Sequence, residues 1–272
     1  MFEVLNREKL NENTYYYKIS APLIAKKVMP GQFMLIRAYE KGERIPLTVA
    51  DYDREAGTVS VIFQAVGRST QKLAEIEQGQ SLTDVLGPLG KPTHYGDCKK
   101  VAVVGGGLGI AIAYPQAKYL HSQGVSVDII AGFRNKDLII LENEMKNCSD
   151  NLFIATDDGS NGRKGLVTDV LRQQIENGVK YDLVIAIGPP IMMKFTSLLT
   201  KEFGIRTIVS LNPIMVDGTG MCGGCRVVVG GETKFACIDG PDFDGHLVDY
   251  DNLMKRLRIY DANHKCNIGL GE

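Results

Sequence analysis

Three cysteines and an aspartate near the end of the chain have the spacing of a metal-binding loop. Four residues separate Asp217 from Cys222, two separate Cys222 from Cys225, and eleven separate Cys225 from Cys237. A Cys-x4-Cys-x2-Cys run with a distant fourth cysteine holds plant-type [2Fe–2S] clusters. Here an aspartate takes the first position, and a carboxylate is a harder donor that can also ligate iron. The spacing therefore predicts an iron–sulfur cluster on these four side chains.

The glycines of this loop favour a cluster, and two other interpretations stay open. Four glycines lie between Asp217 and Cys225, so the backbone can wrap closely and turn N–H groups toward sulfides. A zinc site would use a second Cys-x2-Cys pair or histidines, and the nearest downstream histidine, His246, lies outside the group. The third interpretation is a glycine-rich hairpin with unligated cysteines.

The composition indicates an ordinary globular chain, long enough for two compact domains and an appendage. It has 272 residues, 44% apolar and 23% charged, with a net charge of −1. No nucleic acid or membrane partner is expected, because no charge excess and no apolar run of roughly 20 residues is present. Met1–Arg7 lacks the pattern of a signal peptide. Six cysteines suit a reducing cytoplasm, and Cys98, Cys148 and Cys266 are expected only to pack.

Residues 1–97 are predicted to form an antiparallel six-stranded β-barrel. Alternating runs at Thr14–Ile19, Phe33–Ala38 and Val59–Phe63 are separated by turn residues. One helix is expected at Thr70–Glu77, with Ser69 as its N-cap.

Two groups of residues in this barrel could hold an anionic cofactor. Arg44–Thr48 combines a cation, a proline and a hydroxyl within five residues. Gly67–Thr70 follows a strand and opens a helix, whose first N–H groups attract phosphate. Each alone is more simply a strand end or a capped turn. Together they match the way in which a flavin dinucleotide is held.

Residues 98–211 change to a parallel α/β pattern. The predicted strand Val101–Val104 leads through Gly105–Gly109 into a helix over Ala111–His121, which is the outline of a dinucleotide-binding turn. The turn departs from G-x-G-x-x-G, because its last glycine comes one residue before Ile110. Alone, it does not separate a nucleotide site from a tight structural turn.

Two more loops follow predicted strands of this domain, which include Asn151–Thr156 and Leu183–Ile187. Helices are predicted near Val167–Glu176 and, beyond the domain, at Tyr250–Tyr260. Gly188–Pro190 lacks side-chain bulk and N–H groups, so a flat nicotinamide ring could approach its backbone. Thr156–Ser160 is acidic and is either part of the site or a solvated turn. Asp128 has the spacing of a ribose ligand but falls within a strand, while Arg134 could meet a 2′-phosphate. The choice between NAD and NADP therefore stays open.

Taken in order, the chain resembles the ferredoxin–NADP reductase-like family over essentially its whole length. It is most similar to the branch with the electron-transfer subunit of dihydroorotate dehydrogenase B. The motifs of that branch are Arg-x-Pro-[Ile/Leu/Val]-[Ser/Thr], Gly-x-[Gly/Ser]-Thr, Gly-Gly-Gly-x-Gly and Asp-Asp-Gly-Ser, and they stand here at Arg44–Thr48, Gly67–Thr70, Gly105–Gly109 and Asp157–Ser160. That subunit uses four cysteines, whereas an aspartate with three cysteines is similar to the small subunit of NADH-dependent reduced ferredoxin:NADP oxidoreductase.

The resemblance implies FAD, NAD(H) and one [2Fe–2S] cluster in this chain. The residues expected at FAD are Arg44, Ile45, Pro46, Leu47, Thr48, Ile62, Phe63, Gln64, Gly67, Ser69 and Thr70. Those expected at the nicotinamide nucleotide are Gly105, Gly106, Gly107, Gly109, Asp157, Asp158, Gly188 and Pro189. The cluster ligands Asp217, Cys222, Cys225 and Cys237 are assigned to a small C-terminal subdomain, residues 212–272.

These cofactors predict an oxidoreductase subunit for electron transfer. A nicotinamide gives up two electrons as a hydride and a cluster takes one at a time, so a flavin is needed between them. The resemblance implies a larger flavin and iron–sulfur subunit as partner, ferredoxin reached through that complex, and electron bifurcation. One alternative is a dihydroorotate dehydrogenase B subunit with an unusual aspartate ligand. Another is a flavin-binding regulatory or scaffold module with a vestigial nucleotide loop.

Overall fold

The computed structural model of the chain describes residues 2–259. It contains a seven-stranded sheet, a six-stranded sheet and a two-stranded hairpin. Cys266 and the last residue of the helix predicted at Tyr250–Tyr260 lie outside the described residues. Within residues 2–259, no helix combines the length and the apolar character needed to cross a membrane.

The first sheet is the predicted barrel. Its strands are β1 (Phe2–Lys9), β2 (Thr14–Ser20), β3 (Phe33–Arg37), β4 (Ile45–Asp53), β5 (Thr58–Gln64), β6 (Ser81–Leu82) and β7 (Asp84–Leu89). They are antiparallel in the order β6-β1-β2-β5-β4-β3-β7. Only Thr83 separates β6 from β7, although the two lie at opposite edges of the sheet. Residues 81–89 thus act as one bent strand, which closes the sheet as the predicted six-stranded barrel.

Two short helices belong to the barrel, α1 (Pro22–Ala25) and α2 (Arg68–Ala74). The predicted N-cap Ser69 is wrong, because α2 begins one residue before it and Gly67 is the N-cap. The Thr70 hydroxyl accepts the Gly67 N–H at 3.1 Å. The start of α2 is therefore stabilised although its N-cap residue, a glycine, has no side chain that could cap the helix. Tyr17 donates its hydroxyl to the carbonyl groups of Leu73 and Ile76, which fixes the end of α2 on the barrel.

The second sheet has five parallel strands and one antiparallel edge strand. The parallel strands are β8 (Lys100–Gly106), β9 (Ser126–Phe133), β10 (Asn151–Thr156), β11 (Leu183–Ile187) and β12 (Arg206–Ser210). Between them lie α3 (Gly109–Ser122), α4 (Glu142–Lys146), α5 (Val167–Glu176) and α6 (Pro190–Glu202). The order β10-β9-β8-β11-β12 places β8 beside β11, where the chain reverses the direction in which it adds strands.

The C-terminal residues contain β13 (Arg226–Val229), β14 (Glu232–Phe235), α7 (Ala236–Asp239), β15 (Asp242–Asp244) and α8 (Tyr250–Leu257). The β13–β14 hairpin stands apart, but β15 pairs antiparallel with β12. The predicted C-terminal subdomain therefore shares a sheet with the nucleotide domain. The barrel also packs closely on the nucleotide domain, because Ala50 and Ile62 of the barrel belong to the same buried core as Val103 and Ile110.

Asp128 has a structural role in this sheet. Its side chain is 2% exposed, and it accepts hydrogen bonds from Lys100 (2.5 Å), Asn151 (2.8 Å) and Tyr181 (2.8 Å). A carboxylate so fully bonded in the protein interior is not available to a ribose. The distance of Asp128 from the glycine turn in the sequence suggested a contact with the ribose, but its hydrogen bonds give it a structural role in the sheet.

Replacing Asp128 with Ala should lower the free energy of unfolding by about 2–4 kcal/mol, because Lys100, Asn151 and Tyr181 would lose their common acceptor. Urea unfolding followed by circular dichroism measures this loss. Asp137→Ala is the control, since Asp137 is exposed and should change stability by less than about 0.5 kcal/mol. Equal stability of the two variants would contradict the structural role.

Candidate redox site

The carboxyl ends of the parallel strands border a cavity of about 1280 Å³. One wall consists of the turns after β8, β10 and β11, and the facing wall comes from the barrel with Asn13, Thr14 and Gln64. Ligands of open α/β sheets bind at this edge, at the point where the strand order reverses. The cavity is large enough for a dinucleotide and is shared between the two units.

The glycine turn after β8 requires glycine for two different reasons. Gly107 has a φ of +56°, donates its N–H to the Gly132 carbonyl at 2.8 Å, and has open space where a side chain would project. At Gly109 a Cβ atom would lie 2.3 Å from the Ile187 carbonyl oxygen, so the end of β11 passes directly over it. Gly106, Gly107 and Gly109 border the cavity, whereas Gly105 lies behind it against Ile110.

The two aspartates of the acidic turn, both predicted to contact the nucleotide, have different surroundings. Asp157 borders the cavity, and its N–H donates to the Phe133 carbonyl at 3.0 Å. Asp158 faces its own turn, where the Ser160 hydroxyl and N–H hold the pKa of its carboxyl below the usual value. Asp157 is thus placed to meet a ligand, and Asp158 shapes the turn that presents it.

Gly188 and Pro189 also border the cavity, and Met192 connects them to the glycine turn. A Cβ atom on Gly106 would lie 2.5 Å from the Met192 sulfur, and one on Gly188 would lie 2.9 Å from its methyl carbon. Met192 therefore packs between both turns from the first turn of α6. Sequence reasoning missed Met192, because nothing in its local pattern sets it apart from other apolar helix residues.

The predicted flavin contacts Arg44 and Ser69 already face oxygen anions. Arg44 donates to the Asp84 carboxylate at 2.6 and 3.0 Å, and both side chains are partly exposed. Ser69 donates its hydroxyl to the exposed Glu43 carboxylate at 2.7 Å. Both donors lie at the surface and bind oxygen anions here, which is the chemistry that the phosphates of an anionic cofactor need.

The remaining predicted flavin residues lie on two neighbouring strands of the barrel. Ile45–Thr48 form the start of β4 and are all half-buried, which leaves that part of the strand open to a ligand. Gln64 at the end of β5 borders the cavity. Phe63 is buried in the barrel core against Tyr17, so only its backbone could meet a cofactor. Ile62 packs into the core shared with the nucleotide domain.

The predicted cluster ligands lie in two pairs, Asp217 with Cys222 in the loop, and Cys225 at the end of the loop with Cys237 of α7, which follows the β13–β14 hairpin. The Sγ atoms of Cys225 and Cys237 lie 3.2 Å apart. The Asp217 carboxylate accepts the N–H groups of Cys222 (2.6 Å) and Thr219 (2.8 Å). Around the sulfurs, the Gly224 N–H donates to Cys222 Sγ at 3.3 Å and the Cys237 N–H to Cys225 Sγ at 3.5 Å. Three sulfurs and one carboxylate with N–H groups directed at them fit an iron–sulfur cluster.

No three Cys, His, Asp or Glu side chains among residues 2–259 are close enough to hold a single metal ion. A two-iron cluster divides its ligands into pairs on different irons, so four ligands need not converge on one point. Burial, followed by the neighbouring Cys225 thiol, raises the pKa of the Cys237 thiol to about 12. Iron must therefore displace a proton from Cys237 on binding. Asp217 needs no such step, since the Thr219 N–H holds its carboxyl pKa below the usual value.

The cysteine loop packs on the barrel. Cys225 and Cys237 belong to one buried apolar cluster with Phe33 and Leu35 of β3. Gly218, at a φ of +71°, approaches this strand so closely that a Cβ atom would lie 2.9 Å from Leu35 Cδ1. Glycine is needed here for its conformation and for the close approach.

Sequence reasoning missed the polar residues that the barrel contributes to the cavity. Asn13 lies in the turn between β1 and β2, and Thr14 begins β2. The Asn11 carboxamide stabilises the turn by accepting their N–H groups at 3.3 and 3.0 Å. This turn resembles any other hairpin turn, and only the barrel's docking on the sheet brings it to the cavity. Arg134, the other candidate for nucleotide preference, does border the cavity.

Comparison with known proteins supports a redox function. Residues 212–249 match the iron–sulfur cluster binding domain of dihydroorotate dehydrogenase B. The chain is 48% identical over 265 residues to a dihydroorotate dehydrogenase B (NAD(+)) electron transfer subunit homolog of Thermotoga maritima, covering 97% of this chain and 93% of that protein. It is 36% identical over 250 residues to the electron transfer subunit of Geobacillus thermodenitrificans, covering 88% and 94%.

A solved structure of NADH-dependent reduced ferredoxin-NADP oxidoreductase, studied for flavin-based electron bifurcation, is also similar. The two chains are 47% identical and superpose with a TM-score of 0.91, covering 96% of this chain and 94% of the other. The similarity therefore extends over the barrel, the nucleotide domain and the cysteine loop together.

Gly107→Val should weaken NADH binding at least tenfold, or by about 1.4 kcal/mol, because the new side chain would project into the cavity. Gly124→Val is the matched control, since Gly124 has a φ of +79° and equally open surroundings but lies at the far end of α3. NADH titration of both purified variants, with flavin content measured alongside, makes the comparison. Equal loss of affinity in both variants would assign the effect to backbone strain.

Proposed function

This chain belongs to the family of electron transfer subunits of dihydroorotate dehydrogenase B, and we propose that it serves ferredoxin- and NADH-linked NADP reduction rather than dihydroorotate oxidation. It is a flavin and iron–sulfur oxidoreductase subunit. The observation that carries the proposal is Asp217 at the first position of the cluster loop. The match to NADH-dependent reduced ferredoxin-NADP oxidoreductase along nearly the whole chain supports it.

The arrangement of the three candidate sites fits a linear electron path. The cavity for the nicotinamide lies between the barrel and the parallel sheet, and the cysteine loop packs on the barrel at β3. Strand β3 pairs with β4, which carries the proposed flavin residues, with Leu35 opposite Pro46. FAD, when bound, accepts a hydride and gives up electrons singly.

We propose roles for the residues as follows. Arg44, Ser69 and the backbone from Gly67 to Thr70 hold the flavin phosphates, and Ile45–Thr48 and Gln64 position its ring. Gly106, Gly107, Gly109 and Asp157 would bind the nicotinamide nucleotide, and Gly188–Pro189 would admit its ring. The residues orient two rings, and hydride transfer needs no acid or base from the protein. Residues 1–97, 98–211 and 212–272 are the corresponding functional units.

Asp217, Cys222, Cys225 and Cys237 are the proposed cluster ligands. The Asp217 oxygens each accept one N–H group and keep a further lone pair for iron. Its hydrogen bonds to Thr219 and Cys222 would fix the carboxylate in place, as outer contacts do for metal ligands.

Cys225→Ser should reduce the iron content from about two per chain to nearly none, while flavin stays bound because its residues lie on the barrel. Asp217→Cys should keep about two irons with a shifted reduction potential, and Asp217→Ala should make the cluster labile. Iron and acid-labile sulfide assays with electron paramagnetic resonance measure these outcomes. Cys98→Ser, at a half-buried cysteine outside the loop, is the control. An unchanged spectrum in both Asp217 variants would remove Asp217 from the ligand set.

The surface around the cluster loop fits a protein partner. Val216, Met221 and Ile238 are 61%, 89% and 42% exposed, and Cys222 is exposed among them. We call these four residues the loop patch. Exposed apolar side chains beside an electron-transfer centre favour contact with another protein, here a larger flavin and iron–sulfur subunit.

Met221→Glu should weaken assembly with that larger subunit at least tenfold, because it places a charge in the loop patch, and should leave the iron content unchanged. Leu23→Glu is the matched control, since Leu23 is 82% exposed on α1 of the barrel, outside the loop patch. Co-purification of the natural partner with each variant measures the difference.

The co-purified complex also tests the proposed ferredoxin- and NADH-linked reduction of NADP. The chain alone should reduce ferricyanide with NADH, and reduction of NADP by NADH and reduced ferredoxin should require the partner. A partner that oxidises dihydroorotate instead would establish the alternative member of the family. Full ferredoxin-linked NADP reduction by this chain alone would refute the subunit assignment.

A further inference from the structure

Two arginines are hydrogen-bonded to the backbone of the cysteine loop. Arg226, the first residue of β13, donates from Nη1 to the Gly223 carbonyl at 3.0 Å. Arg256 of α8 donates from Nη2 to the Gly224 carbonyl at 3.1 Å. Two successive peptide units between the second and third proposed ligands are therefore each bonded to a guanidinium group.

The peptide unit that Arg226 holds also contacts a proposed ligand. The Gly223 carbonyl and the Gly224 N–H belong to the same planar unit, and they point in opposite directions. This N–H donates to Cys222 Sγ at 3.3 Å. Arg226 and the sulfur thus lie on opposite sides of one peptide group, so Arg226 fixes the direction of the N–H group that faces Cys222.

The two glycines allow this close approach. Gly223 has a φ of +66°, a left-handed conformation that glycine adopts without strain. A Cβ atom on Gly224 would lie 3.4 Å from Cys222 Sγ. The backbone therefore lies against the sulfur, and the N–H group acts on it at short range.

The charge of Arg226 is carried on the exposed side of the loop. Its side chain is exposed, and it forms no ion pair with a carboxylate among residues 2–259. The next residue of β13, Val227, is 1% exposed, and successive strand residues face opposite sides. Arg226 therefore lies on the solvent side of the hairpin, as does the exposed Cys222 in the loop.

Both properties of Arg226 favour the reduced form of an iron–sulfur cluster on this loop. The potential of such a cluster depends on the hydrogen bonds to its sulfurs and on the net charge around it. Reduction adds one electron and forms or breaks no covalent bond. An N–H group directed at a ligand sulfur and a nearby cation each stabilise the added negative charge, so both raise the potential.

We propose that Arg226 is a positioning residue that raises the reduction potential of the proposed cluster. It holds the Gly224 N–H on Cys222 Sγ and adds its own positive charge. The inference rests on the proposed function, which places a cluster on this loop. Arg256 holds the next peptide unit, so loss of Arg226 should change the potential and leave the turn and its iron in place.

Arg226→Leu should lower the affinity of the cluster for an electron about tenfold, or about 59 mV, because the charge and the hydrogen bond are both lost. Arg226→Lys keeps the charge and a donor, and should recover most of this loss. Arg206→Leu is the matched control, because Arg206 is also exposed and donates to a backbone carbonyl, that of His94, at 3.0 Å. It lies at the start of β12, at the end opposite to the cysteine loop.

Redox titrations of the holoprotein followed by electron paramagnetic resonance measure these potentials. A potential in Arg226→Leu equal to that of unmodified protein would overturn the proposal, as would an equal fall in Arg206→Leu. Weaker co-purification of the partner at an unchanged potential would also overturn it and give Arg226 a docking role instead. If Arg226→Leu loses iron, Arg226→Gln, which keeps a donor without the charge, should still lower the affinity about threefold, or about 28 mV.

The hydrogen bond can also be followed without the potential. In reduced protein exchanged into deuterium oxide, electron spin-echo measurements detect deuterons close to the cluster. This deuterium signal should be weaker in Arg226→Leu than in unmodified protein, and an equal signal would overturn the positioning role. Iron analysis precedes each measurement, because unmodified protein without iron would refute the proposed function rather than the role of Arg226.

Discussion

The apolar contact between the cysteine loop and strand β3 sets the spacing of the proposed cluster and flavin sites. Gly218 lies against Leu35 and Leu89, and Cys225 and Cys237 are buried in the same cluster. Strand β3 pairs on its other side with β4, which carries the proposed flavin residues. One pair of strands therefore carries both sites, and their separation is fixed by strand pairing and close packing rather than by a flexible linker.

Much of the fold could be predicted from local patterns. The strands Asn151–Thr156 and Leu183–Ile187 and the helix Val167–Glu176 have the predicted bounds, because continuous apolar runs and a strong helical period define them. The hairpin β13–β14 and strand β15 were not predicted. Strand β15 has three residues and is defined by pairing with β12, some thirty residues earlier in the sequence, so it has no local signal of its own.

The candidate site also contains parts that could be predicted from local sequence patterns and parts that could not. Glycine turns, the acidic turn and the cysteine spacing are short motifs whose chemistry can be recognised in the sequence alone. Met192, Asn13 and the Arg256–Gly224 hydrogen bond are brought into place by tertiary structure, and the last joins residues 32 positions apart. Asp128 is the converse case, since its spacing suggested a ligand contact but its hydrogen bonds serve the sheet.

The position of the cysteine loop between β12 and β15 bears on how the protein matures. Ser210 pairs with Asp242, and the Leu211 N–H donates to the Pro241 carbonyl at 2.9 Å, so backbone pairing holds both ends of the segment 212–240 together. All four proposed ligands lie inside this closed segment. The strand pairs that hold this segment are made by residues other than the four proposed ligands. Cys222 is exposed, so iron and sulfide would reach the four ligands from that side of the loop.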